Sequence, residues 1–391
     1  MPVRRRPVHS FWRRHGIEVA ILIFCCCLWI MYICVHEPQL KTSVMNSLGW
    51  TPTELRSSVP PISHYARYDI NGYIKAKFDN SCYVPNTDDL SQRVLVDKKT
   101  LKTRGCSQQL PQAILTGVRK CGLGRILQFL RFHPNVEMRS ELVPLELFSG
   151  SYDKGLELYR KQMPYTTEKQ LTIERTPEYF VIPHDVPKRI HDEISPRIKI
   201  IAVICDPVKR AISEYVQAKA RGGESDQQSK VGKTFEETVI EQERQGNVNH
   251  LNTIIDSSLY FKHFLRWLQY FPQEQFHLID SRELIDRPAS ALQKLEDFLG
   301  LPRYFASEHF GDANEKKTGQ QCLVFPENIC VKPKKNKKRR KRPEVDEDTK
   351  QKLYQFFAPY DRSLSDMFKK PFSWSENYGE NQGLMKEAPA K

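Results

Sequence analysis

The chain has 391 residues, a formal charge of +13 and ten cysteines. That length allows one large α/β domain with extensions. Its charge is concentrated in two places. Residues 1–18 are net positive, and Lys332–Arg342 holds nine basic residues and no acid, while the remainder is balanced. A basic excess held in two short runs does not describe a nucleic-acid-binding fold.

Arginines 4, 5, 6, 13 and 14 run into an uncharged apolar stretch, Val19–Val35. That stretch spans about 25 Å at 1.5 Å per residue, near the lower limit for crossing a bilayer. No small-x-small cleavage site follows it, so the expectation is a retained signal anchor with residues 1–18 cytoplasmic and the rest lumenal. Cys25, Cys26, Cys27 and Cys34 lie in this stretch, open to palmitoylation or to plain packing. Residues 36–105 mix proline, serine and charge without periodicity and are read as a stem.

From Gln112 the texture changes. Ala113-Ile114-Leu115 predicts a strand entering the glycine-containing turn Gly117–Gly124, and Ile126, Leu127, Phe129 and Leu130 predict the helix after it. Ile198–Ile204 suits a strand buried on both faces of a parallel sheet. Pro207 can open the helix that carries Ala211, Ile212 and Tyr215. Leu259–Phe271 reads as a third helix, Gln275–Asp280 as a strand and Leu292–Leu299 as a fourth helix. Strands alternating with helices imply an α/β, doubly wound parallel sheet. The expected large domain runs over 106–375, with 376–391 as a tail.

The Gly117–Gly124 turn joins strand to helix, where backbone N–H groups and the helix dipole favour an anion, and Lys120 adds charge. It lacks the Lys-Ser/Thr pair of a kinase-type P-loop. Among the other cysteines, Cys322 and Cys330 are candidates for a local disulfide, and Cys82–Cys106 is a second possibility. The sequence shows no metal-ligand pattern.

The segments Pro111–Lys120, Tyr152-Asp153-Lys154-Gly155-Leu156, Gln162-Met163-Pro164, Glu174-Arg175-Thr176-Pro177-Glu178-Tyr179-Phe180, Asp206-Pro207, Arg210–Tyr215 and Arg266-Trp267-Leu268 occur in the order seen in one family. The chain resembles the heparan sulfate glucosamine 3-O-sulfotransferases over roughly residues 110–375. The resemblance implies a Golgi type II membrane protein. It also implies transfer of a sulfuryl group from 3′-phosphoadenosine 5′-phosphosulfate (PAPS) to a glucosamine 3-hydroxyl of heparan sulfate, without a metal.

Carried over by position, the donor loop Lys-Gly-Gly-Thr-Arg falls on Lys120, Cys121, Gly122, Leu123 and Gly124, with Arg125 one place late. The 3′-phosphate contacts fall on Cys205, where the family has Arg, and on Ser213. The position before the first cysteine of the family's disulfide is Gln321, which places Cys322–Cys330 as that disulfide. The basic clamp falls on Lys338, Arg339, Arg340, Lys341 and Arg342. The family's catalytic Glu aligns with Leu142; Glu141, one residue away, is either a substitute base or a surface carboxylate, and Arg175 takes the place of the catalytic lysine. The substrate side falls on Arg175, Thr176, Pro177, Glu178, Trp267 and Leu268, with core packing as the other reading of Arg266-Trp267.

Two functions follow from the resemblance: a divergent but active sulfotransferase, or a member that binds heparan sulfate or Golgi partners without transfer. A third reading takes Lys332–Arg342 as a nuclear-localisation or RNA-binding patch. The charge balance elsewhere and the anchor weigh against nucleic acid.

Overall fold

The computed structural model describes residues 61–86, 88–139, 155–182, 185–222, 231–241, 246–312, 321–329 and 343–378. The expected anchor at 19–35 lies outside these. Among the described residues no helix is long and apolar enough to cross a membrane.

Five strands form the central sheet: β1 (Ala113–Gly117), β2 (Val136–Met138), β3 (Leu171–Arg175), β4 (Lys199–Ile204) and β5 (Phe276–Asp280). Every pairing is parallel and the order is β5-β4-β1-β3-β2. All five residues of β1 are buried, as a central parallel strand covered on both faces requires. The chain passes from β3 on one side of β1 to β4 on the other. Such a crossing opens a crevice at the carboxyl ends of the strands, where α/β sheets place their ligands.

Helices begin where the local chemistry permits. Helix α1 (Ile70–Phe78), which follows a single helical turn at Tyr65–Tyr68, starts at Asp69, whose carboxylate accepts from the Gly72 N–H at 2.6 Å. Helix α2 (Leu123–Leu130) follows β1 and buries Ile126, Leu127, Phe129 and Leu130, each worth about 1.5–3 kcal/mol of apolar burial. Helix α3 (Pro207–Lys219) has Pro207 in its first turn and Asp206 accepting from the N–H groups of Val208 and Lys209, both at 3.0 Å. Helix α4 (Tyr260–Trp267) precedes β5, and α5 (Pro288–Leu299) stops at Gly300, whose φ of +73° suits only glycine at low cost. The last, α6 (Glu347–Phe368), is 22 residues long and was not expected from the sequence. It contains Pro359 and only a narrow buried face, so its apolar period is weak.

The reading of residues 36–105 as a stem needs correction for its C-terminal half. Ala66, Tyr73, Phe78 and Cys82 are buried, and Cys82–Cys106 form a disulfide. Lys77, 3 % exposed, donates to the carbonyls of His133 and Val136, both at 2.8 Å, and lies 3.6 Å from the Glu137 carboxylate. Burial brings its pKa down to about 8, with Glu137 opposing. A charge this deep is held by partners from the sheet, so the folded unit begins near residue 61 and not at 106. The contacts that reveal this join residues about sixty positions apart, beyond any local pattern.

Candidate active site

Two neighbouring features meet at the carboxyl ends of the strands. The first is the turn after β1. Gly117 has no room for a side chain, because a Cβ there would sit 2.9 Å from Phe180 Cβ and 3.0 Å from the Pro177 carbonyl. Gly122 caps α2 at φ +88°, with no side-chain hydrogen bond, and Cβ atoms at Gly122 or Gly124 would meet nothing within 4 Å. The Arg125 N–H donates back to the Gly122 carbonyl at 2.9 Å, and the exposed glycines 122 and 124 leave the start of α2 uncovered by side chains, a setting in which a helix N-terminus can meet an anion. Around the turn, Lys120 bonds to Gln217 of α3, and Arg119 bridges Glu178 (3.1 Å) and Glu214 (3.4 Å). Arg125 donates to the Gln321 carbonyl at 3.1 Å, which sets Gln321 beside α2.

Cys121 and Cys205 correct the sequence reading most sharply. By position they fall in two separate parts of the expected donor site, the loop and the 3′-phosphate contacts. In the structure they form one disulfide, with Cα atoms 5.2 Å apart. The parallel register sets the end of β1 beside the end of β4, with Gly117 opposite Ala202 and the Val118 N–H on the Val203 carbonyl at 2.8 Å. Cys121 is 2 % exposed, so its side chain points into the protein instead of toward an approaching ligand. The two cysteines stand 84 residues apart, and only the sheet order makes them neighbours.

The positions expected to meet a 3′-phosphate are less well placed for an anion. Asp206 is engaged by its own helix, by Tyr354 Oη (2.9 Å) and by Lys209 (3.1 Å), while Ser213 sits half-buried on α3. No arginine stands at position 205 to meet a phosphate there. Lys338, Arg339, Arg340, Lys341 and Arg342, the expected clamp, lie outside the described residues, as do Glu141, Leu142 and Cys330. Cys322 is buried, and Leu323 pairs with Ile329 across an isolated antiparallel bridge.

The second feature is a cavity of about 630 Å³ beside β2 and β3. Its described lining includes Arg93, Arg131, Arg139 and Arg175 against one carboxyl, Glu174, so it favours anions. Gln162, Met163 and Pro164 form another wall, and Leu127 brings α2 to its edge. Arg93 is already tied to Glu137 at 2.6 Å and stacks 4.6 Å over the Tyr83 ring. Burial draws the pKa values of Arg131 and Arg175 downward from their ordinary value. Arg175, carried over to the substrate side, lines this cavity. Sequence reasoning missed Arg93, Arg131 and Arg139, which come from a hairpin, a helix end and a strand end with no shared motif.

The remaining expected residues divide. Thr176 is fully buried and donates to Glu174, Pro177 is buried at the close approach to Gly117, and Glu178 holds Arg119. Trp267 presents no surface at all. Its ring packs against Phe271 and Phe276 and its indole N–H donates to the Phe180 carbonyl at 3.4 Å. Trp267 is core, and its assignment to the substrate side is withdrawn. Leu268 follows it at the end of α4 and does not line the cavity.

Glu174 was quoted in the motif without a role. It is 3 % exposed on the cavity wall, and one carboxylate oxygen is buried without a hydrogen-bond partner. Burial raises its pKa to about 7, against the Thr176 hydrogen bond and the charges of Arg175 and Arg139. Between 4.5 and 7 the folded chain holds this proton while the unfolded chain releases it. Glu174 therefore favours folding below pH 4.5, and that contribution is lost as pH rises through 7, a swing of about 3 kcal/mol. Glu174→Gln is expected to raise the unfolding midpoint at pH 8 and to leave it unchanged or lower near pH 4.5. Thermal melts at both pH values check this, and equal shifts would show the carboxyl to be a plain structural hydrogen-bond partner.

The turn, the parallel sheet order and the arginine-lined cavity give an α/β protein with a glycine-containing strand-to-helix turn and a basic cavity at the carboxyl ends of its strands. The sulfotransferase domain family matches residues 110–358. Human heparan sulfate glucosamine 3-O-sulfotransferase 3B1 is 36 % identical over 272 residues, covering 68 % of this chain and 66 % of that protein. Human heparan sulfate glucosamine 3-O-sulfotransferase 5 is 36 % identical over 280 residues, covering 71 % and 78 %. The chain belongs to the heparan sulfate glucosamine 3-O-sulfotransferase family, and spans just under two thirds of the first of these relatives. A solved sulfotransferase from Alicyclobacillus acidocaldarius is 20 % identical, covering 67 % of this chain and 97 % of that one, with a TM-score of 0.47. The assignment rests on the sequence relatives.

Proposed function

We propose that this protein is a heparan sulfate 3-O-sulfotransferase-like protein that seats an anionic glucosamine polysaccharide in the arginine-lined cavity. The observation that carries this reading is the cavity itself, with four arginines facing one carboxyl at the ends of β2 and β3. PAPS is the proposed sulfuryl donor, with its sulfated 5′ end at the first turn of α2. When bound, it supplies an activated sulfuryl group to the acceptor hydroxyl. Gly122, Leu123 and Gly124 would offer it backbone N–H groups, Cys121 would hold their turn in place, and Lys120 would lend charge.

A sugar hydroxyl needs a carboxylate to take its proton. Glu174 is the described carboxyl on the cavity wall, with a pKa of about 7 set chiefly by burial, and Glu141 is the sequence candidate. Arg175 would orient the acceptor's anionic groups. A Golgi membrane location with the domain lumenal belongs to the same proposal and draws on residues 1–35.

A second reading, retention of the polysaccharide without transfer, is favoured by the Cys121–Cys205 disulfide at two donor positions. One experiment separates them. Purified protein is assayed for heparin binding and for transfer of labelled sulfate from PAPS to heparan sulfate. Binding with transfer supports the first reading and binding without transfer the second. No binding at low salt would sink both.

A further inference from the structure

We infer that the arginine-lined cavity takes up a proton together with its anionic ligand: Glu174 meets the polysaccharide as a neutral carboxylic acid and donates to one of its sulfate or carboxylate groups. This rests on the acceptor placement proposed above. Glu174 is the one carboxyl among the cavity's described lining residues, set against Arg93, Arg131, Arg139 and Arg175. Its Oε1 accepts from the Thr176 hydroxyl, while Oε2 is buried without a hydrogen-bond partner. A buried carboxylate oxygen left in this way costs free energy. Carrying a proton, the same oxygen becomes a donor on the wall of a cavity whose ligand brings anionic groups that only accept.

The groups around the carboxyl set its balance. Burial pushes the Glu174 pKa up to about 7. Thr176 opposes this by its hydrogen bond, as do the charges of Arg175, next on the chain, and Arg139, just beyond β2, whereas Glu178 in the turn Pro177–Phe180 adds to it. Tyr159, from the short helix Leu156–Arg160, is held well above the usual phenol range by its own burial and stays neutral. No histidine occurs among the described lining residues.

A sulfated chain entering the cavity changes three of these contributions in one direction. It engages the arginines that supported the carboxylate, brings negative charge beside Glu174 and expels water from the wall. Each change favours the protonated carboxyl, so ligand and proton strengthen each other's binding. Affinity for the polysaccharide and any transfer that uses Glu174 as base therefore run in opposite directions with pH.

Isothermal titration of the purified protein with a heparin oligosaccharide tests this in Hepes and in Tris, whose ionisation heats differ. The difference in heat is expected to show uptake of about half a proton per bound ligand at pH 7.5, and affinity to fall about five- to ten-fold from pH 6 to pH 8.5. Glu174→Gln keeps an acceptor for Thr176 and a donor for the ligand but does not titrate. It is expected to take up no proton, to change less than about two-fold over that range, and to bind more tightly than the parent at pH 8.5. The Arg131→Ala/Arg139→Ala/Arg175→Ala variant identifies whether the cavity is the site being read. Binding that depends on those arginines but takes up no proton, or a parent and a Glu174→Gln variant with the same pH profile, overturns this inference alone. If the glutamine variant does not fold, the two-buffer comparison on the parent decides. Binding indifferent to the three arginines, or no binding, overturns the acceptor reading and this inference with it.

Discussion

A chain carrying Arg131→Ala, Arg139→Ala and Arg175→Ala is expected to bind heparin about 100- to 1,000-fold more weakly at low salt, a loss of about 3–4 kcal/mol. Each residue lines the same cavity, and Arg131 and Arg175 are sufficiently withdrawn from water for burial to lower their pKa values. A charge-assisted hydrogen bond is worth about 1.5–3 kcal/mol, and three at a partly solvated site add to less than their sum. Arg93 is left in place because its pairing with Glu137 holds the N-terminal hairpin to β2. Heparin affinity at several salt concentrations checks the outcome, and the triple variant should also show a shallower salt dependence. Unchanged affinity with an unchanged melt would move the binding surface to Lys332–Arg342 and empty the cavity of its proposed role.

Arg210→Met is expected to cost about 3–5 kcal/mol of stability, the largest effect of any single change considered. The Arg210 guanidinium is wholly buried. It donates to Ser258 Oγ at 2.6 Å, to Glu214 at 2.9 Å and to the Ile254 carbonyl, and so fastens α3 to the segment that leads into α4. A methionine of similar volume leaves that carbonyl and Glu214 in a dry site without their main donor. Glu214 keeps Arg119 at 3.4 Å, so Arg210→Met/Glu214→Gln should recover part of the loss. Urea unfolding of the three proteins measures this. A cost below about 1 kcal/mol would mean that water replaces the guanidinium and that the network is not what fixes α3.

Several elements could be read directly from the chain. Ala113–Leu115, Ile198–Ile204 and Gln275–Asp280 became β1, β4 and β5, and Pro207 and Gly300 mark helix boundaries as their backbone preferences demand. The open turn at Gly122 was legible because glycines in a strand-to-helix junction announce an unusual backbone. Strands β2 and β3 were not read, since three residues give no period and Leu171–Arg175 alternates only weakly. Helix α6 stayed hidden because most of its surface is polar and a proline interrupts it.

The candidate site divides along the same line. By itself the sequence determined the family, the parallel α/β architecture and the glycine-containing turn between β1 and α2, because each is written in local order and spacing. Only the tertiary structure decided that Cys121 and Cys205 are bonded, that Trp267 is core, and that Arg93, Arg131 and Arg139 join Arg175 around one cavity. Those facts depend on which strands lie side by side. Strand order is set by burial of the whole sheet, and no single segment of the chain encodes it.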